Sequence, residues 1–454
     1  MKPNRSHQNT ALITGELKQF IRLFLPILLM TFSSCIFLMV EKLLLARLSA
    51  QSMEAAVSAA YACVLFQGPC IVLAMMCQVC VGRWQGAQDW KAIGPGVWQF
   101  IWFAFLSMLV IVPVGSLYGY YYFTGTAIQE IVMPYYTFLI FINFLYPLGA
   151  ALSCFYIGQG KTRLVLISTL LSQVVKLILA YVLIFGIQDW IPALNIMGGA
   201  WSTLLAQGAF CISLLVVFLN SKHAKQYDTR QWKFRPKLFW ECIQPGLLRA
   251  LSRVLMASCW ASIAYLMTAK GGDYLLSLSV GGTLFLFLPF LGEAICQTQT
   301  TIVSQILGSR RYFLLEKAYR SGTILVISAT ILVGIPLLVF PSFTFEYLFP
   351  KIVMSDAQIR QSFLGVWLSF TFFTFCYVPI SYILAFKDTQ YFLWMGFVNW
   401  INGYLYMYFM LKKIEIPAED FWIYLSLMHA SMALLYFLRM RILKMNVLKN
   451  PQLV

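Results

Sequence analysis

Five ionisable side chains stand within or at the end of long apolar runs: Glu41, Lys176, Arg249, Arg253 and Glu293. In hydrocarbon each costs roughly 3 kcal/mol unless it is paired or hydrated. Such residues imply a polar cavity or an internal partner. A carboxylate in that setting suits the exchange of a proton or an ion, because its affinity follows changes in hydration and in neighbouring charge. Arg249 and Arg253 are four residues apart, so they share one helix face. That face must look into a cavity or at a counter-charge, for which Glu293 is the obvious choice. If they pair, the group either releases a proton or locks two helices permanently; if they do not, the basic face favours an anion. Cys77 and Cys80 form a CxxC within an apolar run, with no second pair and no nearby histidine. Packing is the reading there, and no metal site is expected.

The elements that must hold these charges follow from composition. Of 454 residues, 60% are hydrophobic and 11% charged, against about a quarter charged in soluble chains. At about 20 residues per spanning helix, a dozen spans take roughly 240 residues. The remainder supplies short connections and no large extramembrane enzyme domain. The net charge of +16 is scattered through polar breaks, which excludes a nucleic-acid stripe. The cysteines sit almost wholly in apolar runs, so no disulfide framework is expected. Residues 1–16 are polar, without the apolar core of a cleaved signal peptide.

The apolar runs predict an all-α membrane protein of twelve transmembrane helices. Six are Leu17 to Val40, Val57 to Val81, Val97 to Tyr122, Ile131 to Ile157, Leu164 to Gly186 and Gly198 to Leu219. Six more are Cys242 to Thr268, Leu275 to Val303, Gly322 to Phe345, Gln361 to Phe386, Tyr391 to Leu411 and Phe421 to Leu438. The chain then divides into a tail (1–16), an amino lobe (17–219), a linker (220–240), a carboxy lobe (241–438) and a basic tail (439–454). On the side that holds both termini lie 23 of the 33 Lys and Arg residues, against 7 on the other. The positive-inside rule makes the termini and the linker cytoplasmic.

The two halves share landmarks in order. Pro26 and Pro245 enter the first helix of each half, Pro69 and Pro289 fall midway through the second, and Gly86 and Gly308 close it. "GKTRLVL" from Gly160 and "KDTQYFL" from Lys387 both open a fifth helix. Six helices per half keep both halves in one orientation. The expected architecture is two homologous bundles about an axis along the membrane normal, with a cavity between them.

At these residues the sequence resembles the multidrug and toxic compound extrusion (MATE) family, within a superfamily that includes lipid-linked sugar flippases. The likeness runs from "PILL" at Pro26 through "VEKLLLARLS" at Val40, "GQGKTRLVLIS" at Gly158, "LAYVLIFG" at Leu179, "IMGGAWSTLLAQ" at Ile196 and "AFKDTQ" at Ala385. The resemblance implies a V-shaped pair of six-helix bundles and alternating access, driven by a sodium or proton gradient. It aligns Glu41 with an acidic ion-coupling residue of the family; the plainer reading is an interfacial Glu beside Lys42 that marks a helix end. Relatives place asparagines and an aspartate where this chain has Gln173, Lys176 and Ala180. Lys176 then either pairs with Glu41 as a built-in cation, neutralises it structurally, or snorkels to an interface. Arg253 falls near a coupling glutamate of many relatives, and no acid occurs between Gln361 and Phe386.

The resulting expectation is a secondary transporter, not an enzyme: the spans hold no HExxH, paired aspartates or Ser/His set. It exports drugs or other amphipathic compounds across an inner membrane as a monomer, without a cofactor. Glu41, Lys176 and Glu293 are the ion-coupling candidates, with H+ preferred to Na+. Arg249, Arg253, Phe37, Tyr61, Tyr265 and Gln67 are the candidates for the substrate cleft. The alternatives are a flippase for an anionic lipid-linked precursor and a family member that no longer transports. Partners are a small-molecule or lipid-linked substrate and membrane lipid.

Overall fold

Apolar sequence of this length folds as helix because a membrane offers backbone N–H and C=O groups no partners outside their own segment. The structure, a computed structural model, describes residues 14–187, 190–350 and 352–449. The tail up to residue 13, with Lys2 and Arg5, lies outside the described residues, as do Lys351 and 450–454. Eleven helices among the described residues are long and apolar enough to span: α1 (Leu17–Leu48), α2 (Ala50–Gly86), α3 (Trp90–Phe123), α4 (Gln129–Gly158), α5 (Thr162–Phe185), α6 (Ile196–Phe218), α7 (Pro236–Lys270), α8 (Gly272–Gly308), α9 (Leu314–Val339), α10 (Asp356–Ala385) and α12 (Ala418–Lys449). Between the last two, α11 occupies 389–414 as α-helical pieces Thr389–Trp400 and Tyr406–Phe409, each followed by a wider π-type stretch. That alternation breaks the uniform helix the apolar run suggests.

Several ends differ from those the hydropathy pattern predicts, because polar flanks continue the helices beyond the apolar stretch. α1 runs to Leu48, so Glu41 lies about two turns inside the helix and does not mark its end. α12 continues to Lys449, so 439–449 of the basic tail is helical. In the ninth segment helix begins at Leu314, widens at Ile335–Val339 and restarts at Pro341–Leu348. Pro336 removes a backbone donor there. The same cause acts at Pro289, where α8 breaks, and at Pro147, whose missing N–H faces the turn at Ile142–Phe144 in α4.

The linker is built onto the amino lobe. A short helix, Ser221–Tyr227, buries Tyr227. Trp98 and Trp102 of α3 donate to the carbonyls of Thr229 and Trp232 at 2.7 and 2.8 Å. Gln99 donates to Lys233 O and accepts from Arg235 N. Helix α7 then starts at Pro236, inside the stretch expected to be linker.

Packing repeats across the two halves: α1 lies against α5 as α7 lies against α11, and α1 crosses to α8 as α7 crosses to α2. The largest cross-half contact joins the second pieces of α2 and α8. Gln78 Nε2 donates to Gln297 O at 2.6 Å and to Thr301 Oγ1 at 2.7 Å. Gln305 Nε2 donates to Gly158 O at 2.7 Å, and Arg83 Nε to Ala385 O at 2.9 Å. Phe20 and Leu23 of α1 sit in one core with Ile302, Ile306 and Leu315, and Ser321 Oγ bonds Gly15 O. At the other end each half has its own core: Leu44, Ala59, Tyr136 and Ala200 in one, Ile263, Phe363, Trp422 and Met428 in the other. The halves are thus joined where α1 begins and separate where it ends, a V whose mouth faces away from the termini.

Candidate functional site

The wall of the amino lobe holds a buried ion pair. Lys176 Nζ of α5 lies 2.6 Å from Glu41 Oε2 of α1, with side-chain exposures of 19% and 10%. The second oxygen, Oε1, lies 3.5 Å from Thr203 Oγ1 of α6, whose one proton goes either there or to Gly199 O at 2.9 Å. α6 passes close to the pair at Gly199, where a Cβ would stand in ordinary contact 3.8 Å from Glu41 Oε1. Tyr135 and Tyr146 of α4 share the field of Glu41, and Gln67 of α2 lies beside Tyr146. The group therefore spans α1, α2, α4, α5 and α6. Lys176 satisfies Glu41 directly and does not snorkel to an interface. Such a pair is held by both charges, and loss of either leaves the other stranded.

The second set of charges lies at the floor of the V. Arg249 of α7 reaches Met76 Sδ of α2 at 4.0 Å, two residues before the Gln78 that ties α2 to α8. Cys154, Cys296, Arg253 and Glu293 make up its electrostatic surroundings. Glu293 on α8 is also felt by Cys35 on α1 and by Tyr377 on α10. Arg253, one turn further from the seam, is exposed. Of the two arrangements left open for the arginines and Glu293, the unpaired one is found: among the described residues no ion pair within 4.0 Å includes Arg249, Arg253 or Glu293. The physical reason is position, since the one recorded hydrogen bond of Arg249 reaches across the seam to Met76 of α2, while Cys296 and Glu293 of its own lobe act on it only through their field.

The remaining candidates are less gathered. Phe37 and Gln67 are half-buried. Tyr61 and Tyr265 are 70% and 73% exposed, and neither touches the two charged groups in any recorded contact. Thr203, Tyr135 and Tyr146 were not singled out from sequence. "GGAWST" carried a signal for Thr203, because paired glycines followed by small hydroxyls on a spanning helix mark close, hydrogen-bonded packing. Among the described residues no cluster of three or more His, Cys, Asp or Glu side chains is placed to hold a metal, and the eleven cysteines are free thiols.

Comparison with known proteins follows the same lines. Residues 26–182, which carry Glu41 and Lys176, match the family model MatE. The probable multidrug resistance protein YoeA of Bacillus subtilis is 22% identical over 254 residues. That match spans 54% of this chain and 54% of the relative, about half the length of each. A MOP superfamily transporter from Pyrococcus furiosus superposes with a TM-score of 0.84 at 14% identity, over 97% of this chain and 98% of that one. An outward-facing multidrug resistance MATE family transporter gives 0.84 at 14%, over 98% and 99%. In its amino lobe this membrane protein carries a MatE domain, and over its whole length it has the fold of the MATE transporters of the MOP superfamily.

Proposed function

We propose that this chain is a secondary active transporter that exports drugs or other amphipathic small molecules by alternating access. One observation supports it above the others: two bundles are sealed at the end that holds the termini and parted at the other, with a buried ion pair in one wall. The Lys and Arg excess supports cytoplasmic termini. In an inner membrane the cleft then opens outward.

Proton coupling through Glu41 and Lys176 is the reading the site favours, with Glu293 as a further ion-coupling candidate. Lys176 already occupies the place beside Glu41 that a sodium ion would take, at 2.6 Å. Protonation of Glu41 cancels the attraction and leaves a buried ammonium to seek water, which favours rearrangement of α1 against α5 and α6. The chain works as a monomer in this account, with membrane lipid as its surroundings.

A second reading, movement of an anionic lipid-linked precursor, is favoured by the unpaired Arg249 and Arg253. Purified protein in vesicles tests the transporter reading. Gradients of pH and of sodium are imposed separately, and fluxes of ethidium and carboxyfluorescein are followed. Flux of either probe driven by the pH gradient supports the reading; no flux of either probe under either gradient overturns it.

A further inference from the structure

Charge is unevenly satisfied across the V. In the amino lobe Glu41 and Lys176 neutralise each other at 2.6 Å. At the floor two guanidinium groups and one carboxylate remain, a local excess of one positive charge. Each arginine brings five N–H donors in a planar fork. Arg249 engages only the thioether of Met76 at 4.0 Å, a weak acceptor, and Arg253 has no hydrogen bond or ion pair among the described residues. The surroundings of Arg249 include the thiols Cys154 and Cys296. A charged fork without acceptors in a membrane-spanning segment is expensive unless water or a ligand completes it. Its planar donor geometry matches an oxyacid better than any neutral group.

We propose that Arg249 and Arg253 form the recognition site for the phosphate or carboxylate head of an anionic substrate, at the floor of the cleft beside the α2–α8 seam. The inference rests on the transporter reading for what the cleft is for, and it names the substrate class. Glu293 lies in the field of Arg249, it and Arg253 both act on Tyr377, and its charge opposes the anion. It therefore sets how tightly the anion is held, and its neutral form binds better. The site adjoins Gln78, two residues from Met76, so an anion there touches the region where the lobes join.

The test is binding to the purified full-length protein in a neutral detergent, by calorimetric titration. Three probes are compared: dodecyl phosphate, dodecyltrimethylammonium and inorganic phosphate. Dodecyl phosphate is expected to bind at least tenfold more tightly than the cationic amphiphile. Arg249→Gln and Arg253→Gln each lose about tenfold, and Glu293→Gln gains several-fold. Because a glutamine at position 249 can unsettle folding, Arg253→Lys and Glu293→Gln serve as milder variants, the first weakening and the second strengthening anion binding. Inorganic phosphate binding as tightly as dodecyl phosphate identifies the head alone as the ligand, and much weaker binding identifies an amphiphile; either agrees with the proposal. Tighter binding of the cation, folded arginine variants that bind like the parent, or weaker binding in Glu293→Gln would overturn it. No gradient enters this experiment. Its failure leaves the transporter reading standing, whereas retained anion binding without gradient-driven flux removes only the transporter reading.

Discussion

Gly86 and Gly308 close the second helix of each half, and each lies against the backbone of the other's helix. A Cβ on Gly86 would overlap the carbonyl oxygen of Gln305, and one on Gly308 would overlap that of Arg83. One turn earlier, a Cβ on Gly82 would come within 2.8 Å of Ser304 Cβ. The obstacle in the first two cases is backbone, which cannot swing aside. These glycines are what lets α2 and α8 approach closely enough for Gln78 and Gln305 to bridge the halves.

Gly308→Ala is therefore expected to force the seam apart. Overpacking of this kind costs about 1–3 kcal/mol, paid by the state in which the seam is closed. Spin-label distances between the amino-terminal ends of α1 and α9 should lengthen in a larger fraction of molecules. Gly208→Ala, at a site where an added Cβ meets nothing within 4 Å, should leave the distances unchanged. Equal effects from both substitutions would contradict the seam's role.

Glu41 and Lys176 give a double-mutant cycle. Removing one partner of a buried pair costs about 3–5 kcal/mol, while removing both with well-packed replacements is often close to neutral. Glu41→Gln and Lys176→Met alone should each lower thermal stability in detergent, and the double variant should recover most of the loss. Additive losses would mean that the two side chains do not depend on each other.

A third expectation concerns pH. His223 sits outside the spans, on the short helix that anchors the linker. Burial holds its imidazole below the ordinary 6.5, Lys161 pushes the same way, and its bond to Val217 O partly offsets both. Tyr227 packs against its ring. The unfolded chain thus takes up the proton more readily than the fold, so stability rises with pH across this titration. The contribution is fully present above about pH 6.5 and is lost as pH falls through the lower folded value. Thermal unfolding from pH 8 to 5 should show this loss, and His223→Gln should flatten it. A parent and variant with the same pH profile would contradict the assignment.

The sequence revealed the helices and their order because hydrocarbon dictates a repeated length of apolar residues. It did not reveal their ends, since polar flanks at an interface prolong a helix without changing hydropathy; α12 reaching Lys449 is the clearest case. Pro336 marked a disturbed ninth span, yet nothing marked the widened turns of α11, where no proline occurs. The charges were legible as a set, because each is conspicuous against its apolar surroundings. Their pairing was only half legible. Glu41 and Lys176 meet within one lobe, where α1 and α5 pack against each other. Arg249 and Glu293 stay apart because the rotation of α7 against α2 is fixed by packing across the seam, including Gly246 against Leu73, a contact that spacing does not encode.

The most direct measurement of coupling is substrate flux in vesicles under a pH gradient and under a sodium gradient, for the parent and for Glu41→Gln. The account predicts that the pH gradient drives flux in the parent, that sodium alone does not, and that Glu41→Gln loses the response to pH. A Glu41→Gln protein whose flux matches the parent, with and without the pH gradient, would contradict it.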